Sequence, residues 1–323
     1  MTRSALIFGI TGQNGSYLAD ILLEKGYKIY GFVRRSSTSS LTRINHLLDH
    51  IRILSGDLID QSSIMDAISE AMPDEIYNFA SQSYVPTSWT QPALTAEYTA
   101  IRVSRILESI RRVKPDTKFY QASSSEMFGQ PHESPQTEKT AFCPRNPYGA
   151  AKAYAHWLTV SYRGKYNLFA CCGISYTHES PRRGQEFVFR KIVRAATMIK
   201  YGLLEKLELG NLDDYRDWTY ARDAVEAMWL MMQSDTPEDY IIASGQAHSV
   251  RELAEKAFGY LGLNCYDYIE VNPSLCRPPE KTVLVGDISK IKIKLGWHPQ
   301  TSFDQLIEIM LQSERSILKG LTQ

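Results

Sequence analysis

The chain has 323 residues, with 36 Lys and Arg set against 36 Asp and Glu. The length suits one large or two intimately joined domains with a substantial core, and the balanced charge gives no footprint for nucleic acid or an anionic membrane. No apolar run approaches a membrane span, and Met1-Thr-Arg-Ser4 leads straight into the first apolar segment, so neither an anchor nor a leader is expected.

The first predicted element is a strand over 5–8. It runs into Gly9-Ile-Thr-Gly-Gln-Asn-Gly-Ser16, and an amphipathic helix follows over 17–25. Strand, glycine turn and helix is the order a dinucleotide requires. Gly9 permits the tight turn, Gly12 lets the backbone approach the pyrophosphate, and Gly15 lets the helix pack on the strand. Gln13 and Asn14 lie in the same turn, where N-terminal amides face negative charge. Glycines also punctuate ordinary loops, but the flanking elements favour a site for NAD or NADP.

The second strand spans 28–33. About 20 residues past the glycines an Asp or Glu is expected to hold the ribose 2′-hydroxyl. The chain instead reads Phe32-Val-Arg-Arg-Ser-Ser37. Arg34 or Arg35 can pair with a 2′-phosphate, and Ser36 and Ser37 can donate to it. A solvated basic turn is the plain alternative; position and the missing acid favour NADP.

Further strands over 51–55, 75–79, 118–122 and 168–174 alternate with helices over 62–71, 95–112 and 148–165. That alternation predicts an α/β fold, a Rossmann-like doubly wound parallel sheet occupying 1–178. From Glu179 the texture changes to strands over 206–209, 240–243 and 268–271 among helices over 187–201, 222–233, 250–261 and 302–318. A smaller α/β lobe over 179–323 is expected, with the ligand cleft between the lobes and some segments crossing back. The five cysteines, Cys143, Cys171, Cys172, Cys265 and Cys276, are odd in number and lack metal-ligand spacing. They fit reduced thiols in a cytoplasmic enzyme without a metal, and Cys171-Cys172 reads as strand packing.

Tyr148-Gly-Ala-Ala-Lys152 opens the helix after Pro144-Arg-Asn-Pro147. Positions i and i+4 share a face, and a nearby ammonium favours phenolate, so Tyr148 can take a proton from a substrate hydroxyl. Alone, such a pair is commonly an exposed helix pair. The fifth strand adds weight, because it ends in Ala122-Ser-Ser-Ser-Glu126 and carboxyl ends of parallel strands line the ligand crevice. Ser124, Tyr148 and Lys152 thus form a plausible dehydrogenase triad. Glu126 is surplus to hydride transfer but is needed where a carbon acid is deprotonated and a neighbouring hydroxyl leaves as water. The plainer reading is a Glu capping the turn before Met127-Phe-Gly129, and Ser125 can orient it.

Nearly end to end, the chain resembles the extended short-chain dehydrogenase/reductase superfamily and, within it, the GDP-mannose 4,6-dehydratase family. The likeness rests on Gly9-Ile-Thr-Gly-Gln-Asn-Gly-Ser-Tyr-Leu18, Phe119-Tyr-Gln-Ala-Ser-Ser-Ser-Glu-Met-Phe-Gly129 and Asn146-Pro-Tyr-Gly-Ala-Ala-Lys152. More specific are His178-Glu-Ser-Pro-Arg-Arg-Gly184, Leu209-Gly-Asn-Leu-Asp213 with Arg216-Asp-Trp218, and Arg277-Pro-Pro-Glu280 with Leu295-Gly-Trp297.

This resemblance implies an internal redox cycle. Tyr148, with Ser124 and Lys152, deprotonates the C4 hydroxyl as hydride passes to NADP. Glu126 removes the C5 proton and protonates the departing C6 hydroxyl, and hydride returns to C6. It also implies that Lys191, Arg216 and Arg277 hold the diphosphate or ribose, and that Glu280 accepts from guanine. Asp57 and Leu58 correspond to an adenine contact, and Ala80-Ser81-Gln82 to a segment along the pyrophosphate and nicotinamide ribose.

Some positions depart from the family pattern. Asn14 replaces an Asp, Cys172 an Asn, Ser175-Tyr176-Thr177 a Leu-Phe-Asn, and Arg102 a helical Gly. The Asn replaced by Thr177 normally touches substrate. The expected activity is therefore NADP-dependent dehydration of GDP-mannose or a close relative to a GDP-4-keto-6-deoxy sugar, in deoxysugar supply. A GDP-heptose dehydratase, a nucleotide-sugar 4-reductase or epimerase, and a non-catalytic sugar-nucleotide or NADP-binding protein stand as alternatives. The resemblance further implies a homodimer or homotetramer, with the 35–43 loop reaching a neighbour.

Overall fold

The computed structural model describes residues 2–34, 41–276 and 282–321. Arg35, Ser36, Ser37, Arg277 and Glu280 lie outside the described residues.

The first half of the chain forms strands β1 Ser4–Phe8, β2 Lys28–Val33, β3 Arg52–Ser55, β4 Glu75–Asn78, β5 Lys118–Ser124 and β6 Ala170–Ser175. Between them run helices α1 Gln13–Glu24, α2 Gln61–Ala71, α3 Val85–Thr90, α4 Pro92–Ala96, α5 Arg102–Val113 and α6 Pro147–Tyr166. Each strand lies within two residues of its predicted bounds. The helix expected over 95–112 is broken differently: a π-type turn, Glu97–Ile101, separates α4 from α5. Apolar spacing registers helicity but not a single wider turn, so periodicity does not reveal it.

The second half contributes β7 Thr177–Glu179, α7 Val188–Lys200, β8 Leu207–Leu209, β9 Tyr215–Tyr220, α8 Ala221–Gln233, β10 Tyr240–Ile242, β11 Ala247–Ser249, α9 Val250–Gly259, β12 Ile269–Val271, α10 Ser289–Leu295 and α11 Phe303–Leu321. The strand β10 and helix α8, grouped by sequence with the carboxyl-side lobe, belong to the large domain, β10 as an edge strand of its sheet and α8 packed on one face. The sheet order is β3-β2-β1-β4-β5-β6-β10, and every pairing is parallel.

Strands covered on both faces need near-continuous apolar runs, and Ala5, Leu6, Ile7 and Phe8 are wholly buried. One face packs on α1 and α8 through Leu18, Leu22, Met228 and Met231. The other packs on α2, α5 and α6 through Ile64, Ile68, Ile106, Leu107 and Ala155. Helix α10 packs Ile291 into the first of these cores beside β10. The other elements form a smaller lobe: a β11-β9-β7 sheet, a β12-β8 pair, and helices α7, α9 and α11 closing over Phe189, Trp218, Phe258 and Ile307. Strand order reverses between β1 and β4. A crevice therefore opens beyond their carboxyl ends, where Gly9 and Ala80 begin their loops.

Candidate active site

A cleft of about 810 Å³ occupies this crevice and extends to the small lobe. Its sheet side is lined by Gly9, Gly12, Gln13, Asn14, Gly15, Ala80, Ser124, Glu126, Tyr148 and Lys152, and its far side by Thr177, Lys191 and Arg216. These sequence-predicted residues are brought together. Arg34, Asp57, Leu58 and Gln82 fall outside that lining. The Leu58 side chain packs in the core beneath α2, and Gln82 Nε2 donates to Tyr84 O at 2.9 Å.

The glycine turn fits a dinucleotide diphosphate. Helix α1 starts at Gly12 with no side-chain cap and no acid in its first turn, leaving its amide end electropositive. A Cβ at Gly15 would collide with the Gly9 carbonyl and come within 2.8 Å of Ile10 Cα, so only glycine allows this approach. Gln13 ties the turn to the small lobe: Nε2 donates to His178 O at 2.9 Å, and Oε1 accepts from Ser180 Oγ at 2.7 Å.

Ser124 ends β5 and accepts from the Glu126 backbone N–H at 3.2 Å. Asn146 and Pro147 start α6 with a capping side chain and a fixed φ. Asn146 Oδ1 accepts from Gly149 N–H at 2.8 Å, while Nδ2 donates to Glu126 Oε2 at 2.7 Å. A Cβ at Gly149 would collide with the Glu126 carbonyl, so that glycine lets α6 abut the serine–glutamate turn. Tyr148 and Lys152 lie one turn apart on α6, both facing the cleft.

Electrostatics modify one expectation. Burial pushes the Tyr148 phenol up to about 12, with the Ser124 hydroxyl pulling it down and Glu126 pushing it up. The ammonium was expected to lower it. However, Lys152 is itself brought down to about 8 by burial, donates to Ala122 O at 2.8 Å, and lies 5.7 Å from the phenol ring centroid.

Three features escaped the sequence reading. Asn146 stood in a quoted motif, and its Asn-Pro helix start was legible as a cap, but its grip on Glu126 is a tertiary contact. Asn14 Nδ2 pairs with His178 Nδ1 at 2.9 Å, which leaves the ring proton on Nε2; burial and Arg183 hold His178 at about 3, neutral. Glu179 is wholly buried 3.4 Å from Arg183, and burial raises its carboxyl to about 7. Of the departures noted in sequence, Ser175, Tyr176 and Thr177 line the cleft, whereas Cys172 packs behind it against His156.

The arrangement can take a proton from a hydroxyl, abstract one from carbon, and hold an anion on the opposite wall. The profile of the GDP-mannose 4,6 dehydratase family matches residues 6–310. The chain belongs to the GDP-mannose 4,6-dehydratase family. It is 49% identical to GDP-mannose 4,6 dehydratase 2 of Arabidopsis thaliana, over 98% of this chain and 88% of that protein. It is 44% identical to the Homo sapiens GDP-mannose 4,6 dehydratase, over 98% and 92%. In fold, the family member is similar to a Bacillus anthracis dTDP-glucose 4,6-dehydratase in complex with NAD (TM-score 0.87, 22% identity, 98% of each chain). It is also similar to RMD of Pseudomonas aeruginosa complexed with NADPH (TM-score 0.83, 22% identity, 98% and 100% of the chains).

Proposed function

We propose that the chain converts GDP-mannose or a close relative to a GDP-4-keto-6-deoxy sugar, as an NADP-dependent hydro-lyase. The reaction class, GDP-sugar 4,6-dehydration, follows from its relatives. The observation that carries the assignment of residues is the position of Glu126, fixed by Asn146 beside Ser124 and lining the same cleft as Tyr148.

A bound nicotinamide supplies the hydride acceptor for sugar C4 and the donor for C6. Tyr148 takes the C4 hydroxyl proton, and Ser124 hydrogen-bonds the same oxygen. Glu126 removes the C5 proton, made acidic by the C4 ketone, and delivers it to the C6 hydroxyl, which leaves as water. C5 regains a proton from solvent. The intermediate must stay in the cleft between the two hydride transfers, since its escape would strand reduced cofactor. Lys191 and Arg216 suit the diphosphate, and Thr177 the sugar. An epimerase or reductase needs no elimination, so Glu126 weighs against either. In D2O, deuterium should enter at C5 while C6 receives the hydrogen that left C4; solvent deuterium at C6 in place of that hydrogen would refute the internal transfer.

NADP is favoured by Arg34 at the end of β2, where NAD-binding chains place an acid. A homodimer or homotetramer is supported by exposed Trp89, Leu94, Ile101, Tyr154 and Trp157, which lie on the adjoining α3, α4, π-type turn and α6. Arg43, at the end of the loop expected to reach a neighbour, bonds Arg182 O and Thr11 O of its own chain. The five unpaired cysteines support a reducing, cytoplasmic setting. Among the described residues no helix is long and apolar enough to cross a membrane.

A further inference from the structure

The carboxyl ends of β2 and β3 carry a cluster that the dehydration chemistry does not use. Tyr98 lies in the π-type turn, and Arg102 follows four residues later at the start of α5. The Arg102 guanidinium is centred 3.4 Å from the centroid of the Tyr98 ring. Arg34, just past β2, donates from Nη1 to the Tyr98 hydroxyl at 3.1 Å and lies 5.9 Å from the same centroid. Two cations thus share one ring.

Their compensation is incomplete. Arg102 is only 7% exposed, and its Nε and Nη2 meet no hydrogen-bond partner among the described residues. Asp57 is the carboxylate facing it, 3.9 Å from Nη2 and outside hydrogen-bond range, with Oδ1 accepting from Ile59 N–H at 3.0 Å. Glu97 adds attraction but is bonded to Arg105 at 2.6 Å. Burial, reinforced by repulsion from Arg34, brings the Arg102 guanidinium down to about 10. A buried guanidinium with open N–H groups is costly unless an anion completes it.

The location identifies the anion. In this fold the end of β2 approaches the adenosine ribose, and an arginine there accommodates a 2′-phosphate. Nε and Nη2 form one edge of the guanidinium, the edge that grips a phosphate in two bonds. We propose that Arg102 is a specificity residue for the cofactor, gripping the 2′-phosphate of NADP from the α5 side while Arg34 faces it from β2. This rests on the NADP reading and goes beyond it, because it places the discriminating charge on a helix rather than only on the basic turn after β2.

Isothermal titration of the full chain with NADP+ and with NAD+ tests this. The unaltered chain should bind NADP+ more tightly. Arg102→Met, which removes the guanidinium but keeps a long apolar side chain beside Tyr98, should weaken NADP+ on the order of 30-fold and leave NAD+ within about threefold. Retained NADP+ preference in that variant, or equal loss of both cofactors, overturns the proposal and leaves the NADP reading standing. An unaltered chain without preference overturns both. Should Arg102→Met not fold, Arg102→Lys decides: it keeps the charge, removes the two-bond edge, and should weaken NADP+ alone by about tenfold.

Discussion

Asn146 and Glu126 are joined by a 2.7 Å hydrogen bond from Nδ2 to Oε2, and the other end of the same amide caps α6. One side chain thus fixes both the helix that carries Tyr148 and the carboxylate assigned to C5. Asn146→Asp keeps an acceptor for the Gly149 N–H, replaces the donor by a second carboxylate, and separates the two roles. We expect thermal stability to be nearly unchanged while kcat for dehydration falls on the order of 10- to 100-fold. Asn146→Ala should lose the cap as well, about 1 kcal/mol. Normal turnover in the Asp variant would show that Glu126 needs no orienting partner.

Glu179 gives a pH signature in stability. Its ordinary value of 4.5 is raised to about 7 in the fold, chiefly by burial, with Arg183 and Arg190 opposing the rise. Between those values the folded state binds more protons than the unfolded one, so this group makes stability fall as pH rises from 4.5 through 7. Glu179→Gln abolishes that slope. In urea titrations the variant should gain on the unaltered protein between about pH 5 and about pH 8. A difference independent of pH would remove the titration from Glu179.

Gly15 tests the fit of the cofactor cradle. Its added methyl would press on the Gly9 carbonyl and on Ile10 Cα. Gly15→Ala should cost about 1–3 kcal/mol and abolish NADP+ binding. An unchanged dissociation constant would mean that the diphosphate does not use this turn.

Thr177 sits in the cleft wall with Ser175 and Tyr176, at the position where the family resemblance leads one to expect a substrate-contacting Asn. Thr177→Asn should raise kcat/KM for GDP-mannose about tenfold relative to the next best GDP-linked sugar, with cofactor affinity unaltered. A constant ratio between the sugars would exclude Thr177 from specificity.

What was legible in the sequence was whatever depends on local pattern. Continuous apolar strands, the Gly9–Gly15 spacing and the one-turn offset of Tyr148 and Lys152 are properties of a segment, and each appears where its pattern predicts. The strand β10 was grouped with the wrong lobe because its three residues, Tyr240–Ile242, read alike in either; only its parallel pairing to β6 decides. The Asn14–His178 and Asn146–Glu126 contacts join residues 164 and 20 positions apart, beyond any local periodicity. Arg102 was visible as a departure, yet its neighbours Tyr98 and Arg34 are brought to it by the turn of the helix and the packing of β2. The direction of the Tyr148 shift was misjudged for a related reason: spacing shows the ammonium's proximity but not the burial that outweighs it.

Elimination of water by a cycle that consumes no cofactor is the central claim, and mass spectrometry tests it most directly. Purified protein would be incubated with NADP+ and GDP-mannose, with absorbance followed for NADPH and Glu126→Gln run in parallel. The account predicts a GDP-linked product lighter by one water, no net NADPH, and no such product from the variant, which still binds NADP+. Undiminished product from Glu126→Gln, or NADPH accumulating in step with product, would contradict it.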